Sequence, residues 1–253
     1  MLDSTSTSSR GFTHVSDVTV VSLSGYPDIF AQLHANLRQF EPGARKILVT
    51  SGDRFQGLEV PGWEVIQETE PFAFPCNANI GIKAAGQSDV VLMNDDAQFV
   101  ESGSIDALRE ISYAYPEIGV LSPHVDGDAD NLFQTDAASF PGGIAYCERR
   151  LCFICVYLKR EVLNAVGEMD ERFSGYGFDD QDYCLRLLLA GYRLAVTSDV
   201  TARHGYAGSR CSSSFRRSLR DKFAAGREAE TVFRRKWMHM EMASDVVRRY
   251  VRG

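Results

Sequence analysis

Three short stretches of the chain gather side chains that could do chemistry. Asn94-Asp95-Asp96 sets two adjacent carboxylates directly behind an apolar run, Asp89 to Met93. Adjacent carboxylates repel unless a cation or hydrogen-bond donors neutralise them. A hard divalent ion, Mg2+ or Mn2+, sharing carboxylate and phosphate oxygens is the natural partner. A polar turn after a strand would use the same residues. Gly177-Phe178-Asp179-Asp180-Gln181-Asp182 opens a helical pattern with three acids in its first turn. Capping and the helix dipole account for one or two of them. A carboxylate at the edge of the Gly175-Tyr176-Gly177-Phe178 loop could also serve as general base toward an acceptor hydroxyl. Asp182 and Arg186 stand four apart and should pair along the helix. The third stretch is Arg203-His204-Gly205-Tyr206-Ala207-Gly208-Ser209, a histidine among small residues after an apolar run. Such a histidine suits a reachable metal ligand, although a lone histidine is more often structural.

These groups need elements to position them. Val18 to Leu23, Lys46 to Thr50, Trp63 to Ile66, Asp89 to Met93 and Gly119 to Leu121 read as short buried strands. Between them, helical spacing runs from Pro27 to Phe40, Cys76 to Ala85 and Ser104 to Tyr113, with Pro42-Gly43 ending the first. That alternation predicts βαβ units and a mostly parallel α/β sheet. Ligands in such sheets lie beyond the carboxyl ends of the strands, where Asn94-Asp95-Asp96 falls. The second half departs from this rhythm. Asp126 to Gly143 is rich in Asp, Gly and Asn and reads as a loop over the site. Arg150 to Leu158 and Tyr192 to Thr197 read as strands, Arg160 to Val166 and Asp179 to Ala190 as helices. From Phe215 onward the pattern is long, helical and basic.

Bulk properties narrow the class. The chain has 253 residues, 44% hydrophobic and 24% charged, as expected of a globular protein with a sizeable core. No apolar run is long enough to span a bilayer, and the Ser/Thr-rich start lacks the pattern of a secretory signal. Residues 1–16 are therefore expected to be a disordered leader. The protein is expected to be cytoplasmic, with attachment to a membrane surface left open. Six cysteines stand at 76, 147, 152, 155, 184 and 211. Cys152 and Cys155 form a CxxC, but Leu-Cys-Phe-Ile-Cys-Val-Tyr-Leu is a buried strand pattern, so core thiols are expected rather than zinc. From Ser212 on, eleven Lys/Arg face five Asp/Glu, a net of +6 that leaves −13 on the rest of a chain whose total is −7. A basic segment on an acidic body could meet an anionic surface or another subunit, or pack on its own acidic body.

Taken in order, the motifs resemble those of family 2 glycosyltransferases of the GT-A fold. Asn94-Asp95-Asp96 stands as the DxD-type element after a strand. Gly167-Glu168-Met169-Asp170-Glu171-Arg172-Phe173 is similar to G-x-x-D-E-x-F, and Phe178-Asp179-Asp180-Gln181-Asp182-Tyr183-Cys184-Leu185-Arg186 to E-D-x-D-x-x-x-R. His204 with Gly205, Gly208 and Ser209 is similar to H-x-x-G-S. Asn79-Ile80-Gly81 before Ala84-Ala85 resembles the N-x-G-x-x-x-A helix ahead of the DxD strand. The resemblance spans roughly residues 18 to 210.

The resemblance implies a Rossmann-like GT-A domain over residues 17–211. Its nucleotide-binding half covers about 17–123 and its acceptor-binding half about 124–211, and a basic helical extension follows at 212–253. It implies an inverting, metal-dependent transfer of a sugar from a nucleoside diphosphate to an acceptor hydroxyl. Asp96 and His204 would hold Mn2+ or Mg2+. Asp95, Asn79, Lys83 and Asp53 would face the donor, a UDP-sugar being the commonest choice. Asp180 would be the base, beside Asp179 where the family usually has Glu. Tyr176, Phe178 and Asp182 would lie on the acceptor side. Asp53 stands in a shifted place, because Thr50-Ser51-Gly52-Asp53 replaces the one or two acids that usually read the base.

The acceptor is left open among a glycan, a lipid carrier, a protein side chain and a nucleic-acid base. A non-catalytic sugar-binding module on the same fold is the competing class, separable by a donor-hydrolysis assay. A nucleotidyltransferase would want a Gly-rich phosphate loop and a basic residue after the first strand. Ser22-Leu23-Ser24-Gly25-Tyr26 has neither.

Overall fold

The computed structural model describes residues 18–68, 71–127, 129, 131–136, 143–173, 176–205, 219–240 and 244–252. The 1–16 leader lies outside them, as do Gly175, Gly208, Ser209 and Cys211.

Continuous apolar runs form the central strands because those strands are covered on both faces. β1 (Val18–Ser24), β2 (Arg45–Ser51), β3 (Glu64–Glu68) and β4 (Asp89–Asn94) alternate with α1 (Pro27–Phe40) and α2 (Phe74–Ala84). All three strand pairs in this half are parallel, in the order β3-β2-β1-β4. Pro at the start of α1 and of α2 presets the helical φ where no intrahelical N–H bond is lost. Gly81 in α2 reflects close packing on the sheet. A Cβ there would stand 2.3 Å from a Val21 methyl and 3.1 Å from one of Val49.

The second half adds β5 (Ala97–Phe99), α3 (Ser104–Ala114), β6 (Ile118–Gly127), α4 (Leu132–Thr135), β7 (Ile144–Cys147), β8 (Cys155–Leu158), α5 (Arg160–Val166), α6 (Asp179–Leu189) and β9 (Arg193–His204). Here the sheet is mixed. β8 runs antiparallel to β4 and β6, β6 and β9 are parallel, and β5 and β7 both pair antiparallel with β9. The mostly parallel expectation thus describes the first half, and a nine-stranded sheet continues through antiparallel partners. Residues 151–154, expected as strand, precede β8, while β9 runs seven residues past its expected end at Thr197.

Two apolar layers sandwich the sheet. α1 and α3 cover one face through Phe30, Leu33, Leu37, Ile105 and Leu108. α2, α5 and α6 cover the other through Ala78, Val162, Leu163, Tyr183, Cys184 and Leu187. Beyond the sheet, α7 (Leu219–Trp237), a 3-10 turn at Met238–Met240 and α8 (Asp245–Arg252) follow. Phe233, Trp237 and Val247 from these helices join Phe173 and Leu185 in a third apolar cluster. The basic helices therefore lie on the body, by way of α6. Cys76, Cys147, Cys152, Cys155 and Cys184 are free thiols, and burial pushes the Cys155 and Cys184 thiols up. No helix among the described residues is long and apolar enough to cross a membrane.

Candidate functional site

β4 ends at Asn94, and the chain turns through Asp95 and Asp96 into β5. β5 places Ala97 opposite His204 at the far end of β9, and the Gly205 amide donates to the Asp96 carbonyl at 3.4 Å. Two segments more than a hundred residues apart thus meet, with His204 Nε2 3.3 Å from Asp96 Oδ1. On its other side His204 pairs with Gly127 of β6. A Cβ at Gly127 would stand 1.9 Å from the His204 carbonyl oxygen, and its φ of +131° is one that glycine readily supplies.

The two acids have different surroundings. Ser24, at the end of β1, donates its hydroxyl to Asp95 Oδ2 at 2.5 Å. Asp96 is 1% exposed, and among the described residues neither of its carboxylate oxygens accepts a hydrogen bond. A buried carboxylate in that condition is costly unless a cation completes it. Across the carboxyl ends of β1 and β2, the Arg54 guanidinium stacks 4.1 Å over the Tyr26 ring. Asp53 is exposed on the same loop after β2.

α6 begins with Asp179, Asp180 and Asp182 in its first turn. The residue before it, Phe178, has φ +68° and is the one non-glycine residue with positive φ among those described. That conformation costs about 1–2 kcal/mol, so something else must hold it. Its ring packs 5.5 Å from Phe233 of α7. Asp179 is half-buried, and burial together with the adjacent Asp180 charge pushes its carboxyl up to about 7. The expected Asp182–Arg186 pair forms at 3.1 Å. Asp182 itself, expected on the acceptor side, is fully buried. It also accepts from the Lys236 ammonium at 2.7 Å and the Trp237 indole N–H at 2.8 Å. Its oxygens are thus engaged in joining α6 to α7.

Asn79 and Lys83, expected on the donor side, reach elsewhere. The Asn79 amide donates to the Met169 carbonyl at 3.0 Å and to Glu171 at 2.9 Å, and accepts from the Met169 N–H at 2.8 Å. Lys83 pairs with Glu168 at 3.0 Å on the surface. Both fasten the 167–173 segment to α2. Asp170, in that segment, is held well below the usual carboxylate range by Arg172 first and Lys236 second.

With this geometry in view, the likeness to solved structures is specific. A mannosyltransferase, PcManGT from Pyrobaculum calidifontis in complex with GDP-Man and Mn2+, superposes with a TM-score of 0.59 at 16% identity, over 77% of this chain and 58% of that one. GalNAc-T7 with UDP, GalNAc and Mn2+ gives 0.62 at 10% identity, over 84% and 48%. TarS residues 1–349 from S. aureus gives 0.58 at 13%, over 74% and 60%. The chain has the GT-A fold. It spans about half to three fifths of those solved chains. In sequence, the uncharacterized protein y4gI of Sinorhizobium fredii (strain NBRC 101917 / NGR234) is 22% identical over 167 residues, which are 58% of this chain and 18% of that protein. No family model matches the chain.

Seen on this fold, Asp95 and Asp96 occupy the strand end at which a ligand is expected. Among the described residues no three His, Cys, Asp or Glu side chains gather into a ready-made metal cage. Asp96 and His204 are a pair with one carboxylate left uncompensated. That donor set fits a hard divalent ion that takes its remaining ligands from phosphate and water. Three contributors were not legible as site residues in the sequence. Ser24 falls just past the strand read at Val18 to Leu23, and its place before Gly25-Tyr26, at a carboxyl strand end, was the available signal. Lys236 and Trp237 lie in a segment that reads as surface helix.

Proposed function

We propose that this protein is a metal-dependent glycosyltransferase of the family 2 type, moving a sugar from a nucleoside diphosphate to an acceptor hydroxyl with inversion. The observation that carries this is Asp96. It is a buried carboxylate that accepts no hydrogen bond among the described residues, 3.3 Å from His204, at the carboxyl end of the fourth strand of a GT-A sheet. The neighbours supply the ligand class: two were solved with Mn2+, one of them with GDP-Man and the other with UDP.

In this reading Asp96 and His204 hold Mn2+ or Mg2+, which when bound offsets the negative charge that develops on the diphosphate leaving group. Asp95, oriented by the Ser24 hydroxyl, faces the ribose. The nucleoside lies over the ends of β1 and β2, beside Tyr26, Asp53 and Arg54, with uridine favoured. On the acceptor side, Asp180 takes the proton from the attacking hydroxyl. Two adjacent carboxylates do not ionise equally, and environments that split such a pair divide the acid and base roles between them. Burial and the adjacent Asp180 charge push the Asp179 carboxyl up, and Asp180, in the first turn of α6, stands where the resemblance puts the base. Tyr176 and Phe178 flank the acceptor.

The test is a thermal-shift screen of UDP, GDP and CDP and their sugars, with Mn2+, with Mg2+ and with EDTA, followed by donor turnover on the best binder. A metal-dependent rise with one nucleotide class and metal-dependent release of its diphosphate are expected. Stabilisation that is identical in EDTA would refute the reading.

A further inference from the structure

The C-terminal helices touch the start of the helix that carries the acids at Phe178, Gln181 and Asp182. The Phe233 ring of α7 packs on Phe178, whose φ of +68° needs an outside contact to persist. One turn further on, Lys236 lies 2.7 Å and the Trp237 indole N–H 2.8 Å from Asp182 Oδ1. The Tyr250 hydroxyl of α8 donates to the Gln181 carbonyl at 3.0 Å. Asp179 and Asp180 sit between these contacts. Lys236 also reaches Asp170 at 2.6 Å, so one ammonium ties the 167–173 segment to α6. Beneath, Phe173 and Leu185 share an apolar cluster with Phe233, Trp237 and Val247.

We propose that α7 and α8 are a working part of the transfer site. Lys236 and Trp237 are positioning residues that, through Asp182, fix where Asp179 and Asp180 point. The proposal rests on the glycosyltransferase reading and deepens it. A merely supportive packing helix would need only apolar contacts. This one places a directed cation and a directed N–H on a fully buried carboxylate two residues from the proposed base. Buried polar networks of this kind specify a single arrangement when every member is satisfied. Asp182 meets that condition through Arg186, Lys236 and Trp237.

The experiment uses the full chain and three variants: Lys236→Met, Lys236→Arg and Trp237→Phe, the last keeping an aromatic ring but losing the donor. Amide hydrogen exchange is read alongside Mn2+-UDP affinity and the rates of UDP release from UDP-glucose and of GDP release from GDP-mannose. In Lys236→Met, exchange should quicken at least tenfold across residues 180–184 and stay unchanged in β1 and β4. Turnover should fall tenfold or more while nucleotide affinity stays within twofold. Trp237→Phe should move both readouts in the same direction, and Lys236→Arg should restore them. Unchanged exchange in α6, or exchange that quickens evenly across the sheet, overturns the proposal. Normal turnover despite a loosened first turn overturns it as well. If the unaltered protein releases no nucleoside diphosphate from either donor, the glycosyltransferase reading fails for those donors. The exchange results still decide whether the C-terminal helices order α6.

Discussion

Asp96→Asn separates a functional carboxylate from a structural one by the sign of its effect on stability. Asp96 is 1% exposed, and neither oxygen accepts a hydrogen bond among the described residues. Leaving a buried polar group unsatisfied costs about 1–3 kcal/mol, and more when it is charged. Asparagine is nearly the same size, carries no charge, and can still meet the imidazole 3.3 Å away. The metal-free variant should therefore recover about 1–3 kcal/mol. For a domain of this size each kcal/mol moves Tm by roughly 2–4 °C, so a rise of roughly 2–12 °C is expected. With ligand the order reverses. Mn2+ and a matching nucleoside diphosphate at about 100 times Kd add about 2.7 kcal/mol to the unaltered protein. The variant should lose that response. The assay is differential scanning fluorimetry of both proteins, with and without Mn2+-UDP and Mn2+-GDP. A lower metal-free Tm combined with an intact Mn2+ response would refute the reasoning and make Asp96 a structural partner of His204.

Asp180→Asn should lower transfer about 100- to 10,000-fold, the usual cost of a lost general base. Nucleotide affinity and Tm should stay near normal, and near-normal transfer would move the role to Asp179. For Asp179, the folded carboxyl is pushed up from 3.8 to about 7. The native state therefore holds a proton that the unfolded chain has released, and stability should fall as pH climbs from about 4 to about 7. Asp179→Asn should flatten that fall and melt higher than the unaltered protein at pH 8; parallel Tm–pH curves would count against it. Asn79→Ala should destabilise by about 1–3 kcal/mol, because it strips the buried Met169 backbone groups of their partners. Lys83→Met should stay within about 0.5 kcal/mol, as expected of an exposed pair. Denaturant melts read both, and a loss of Mn2+-UDP affinity in Lys83→Met would return that residue to the donor site.

The parts of the fold that could be read from the sequence were those specified locally. Val18 to Leu23 and Asp89 to Met93 are apolar without interruption, which fits strands buried on both faces, and their boundaries fall within a residue of β1 and β4. The helix at Asp179 was marked by its acidic first turn and ended one residue from the expected place. β5 and β7, at three and four residues, have no period to read. They exist because β9 extends far enough to pair with both. At the site, residue type suggested chemistry, but type alone does not name a partner. An asparagine and a lysine one turn apart on a helix look equally suited to a nucleotide. Their actual partners, Met169 and Glu168, stand 90 and 85 positions away, and only tertiary packing brings them together. Lys236 and Trp237 failed to stand out for the same reason: their role depends on a buried acid 54 and 55 positions earlier.

The contacts that α7 and α8 make with α6 also bear on when the site comes into being as the chain is synthesised. α6 ends at residue 189, and the residues that steady its first turn lie between 233 and 250. At about 5–20 residues per second, a ribosome makes the strands, the paired Asp95 and Asp96, and His204 some seconds before Trp237 and Tyr250 emerge. A nascent chain could therefore own its donor end while its acid-bearing helix still lacked the partners that hold Phe178 and Asp182. Under the proposed function, transfer would begin only after α7 and α8 had docked, so a product cut short before α7 would bind nucleotide without turning it over.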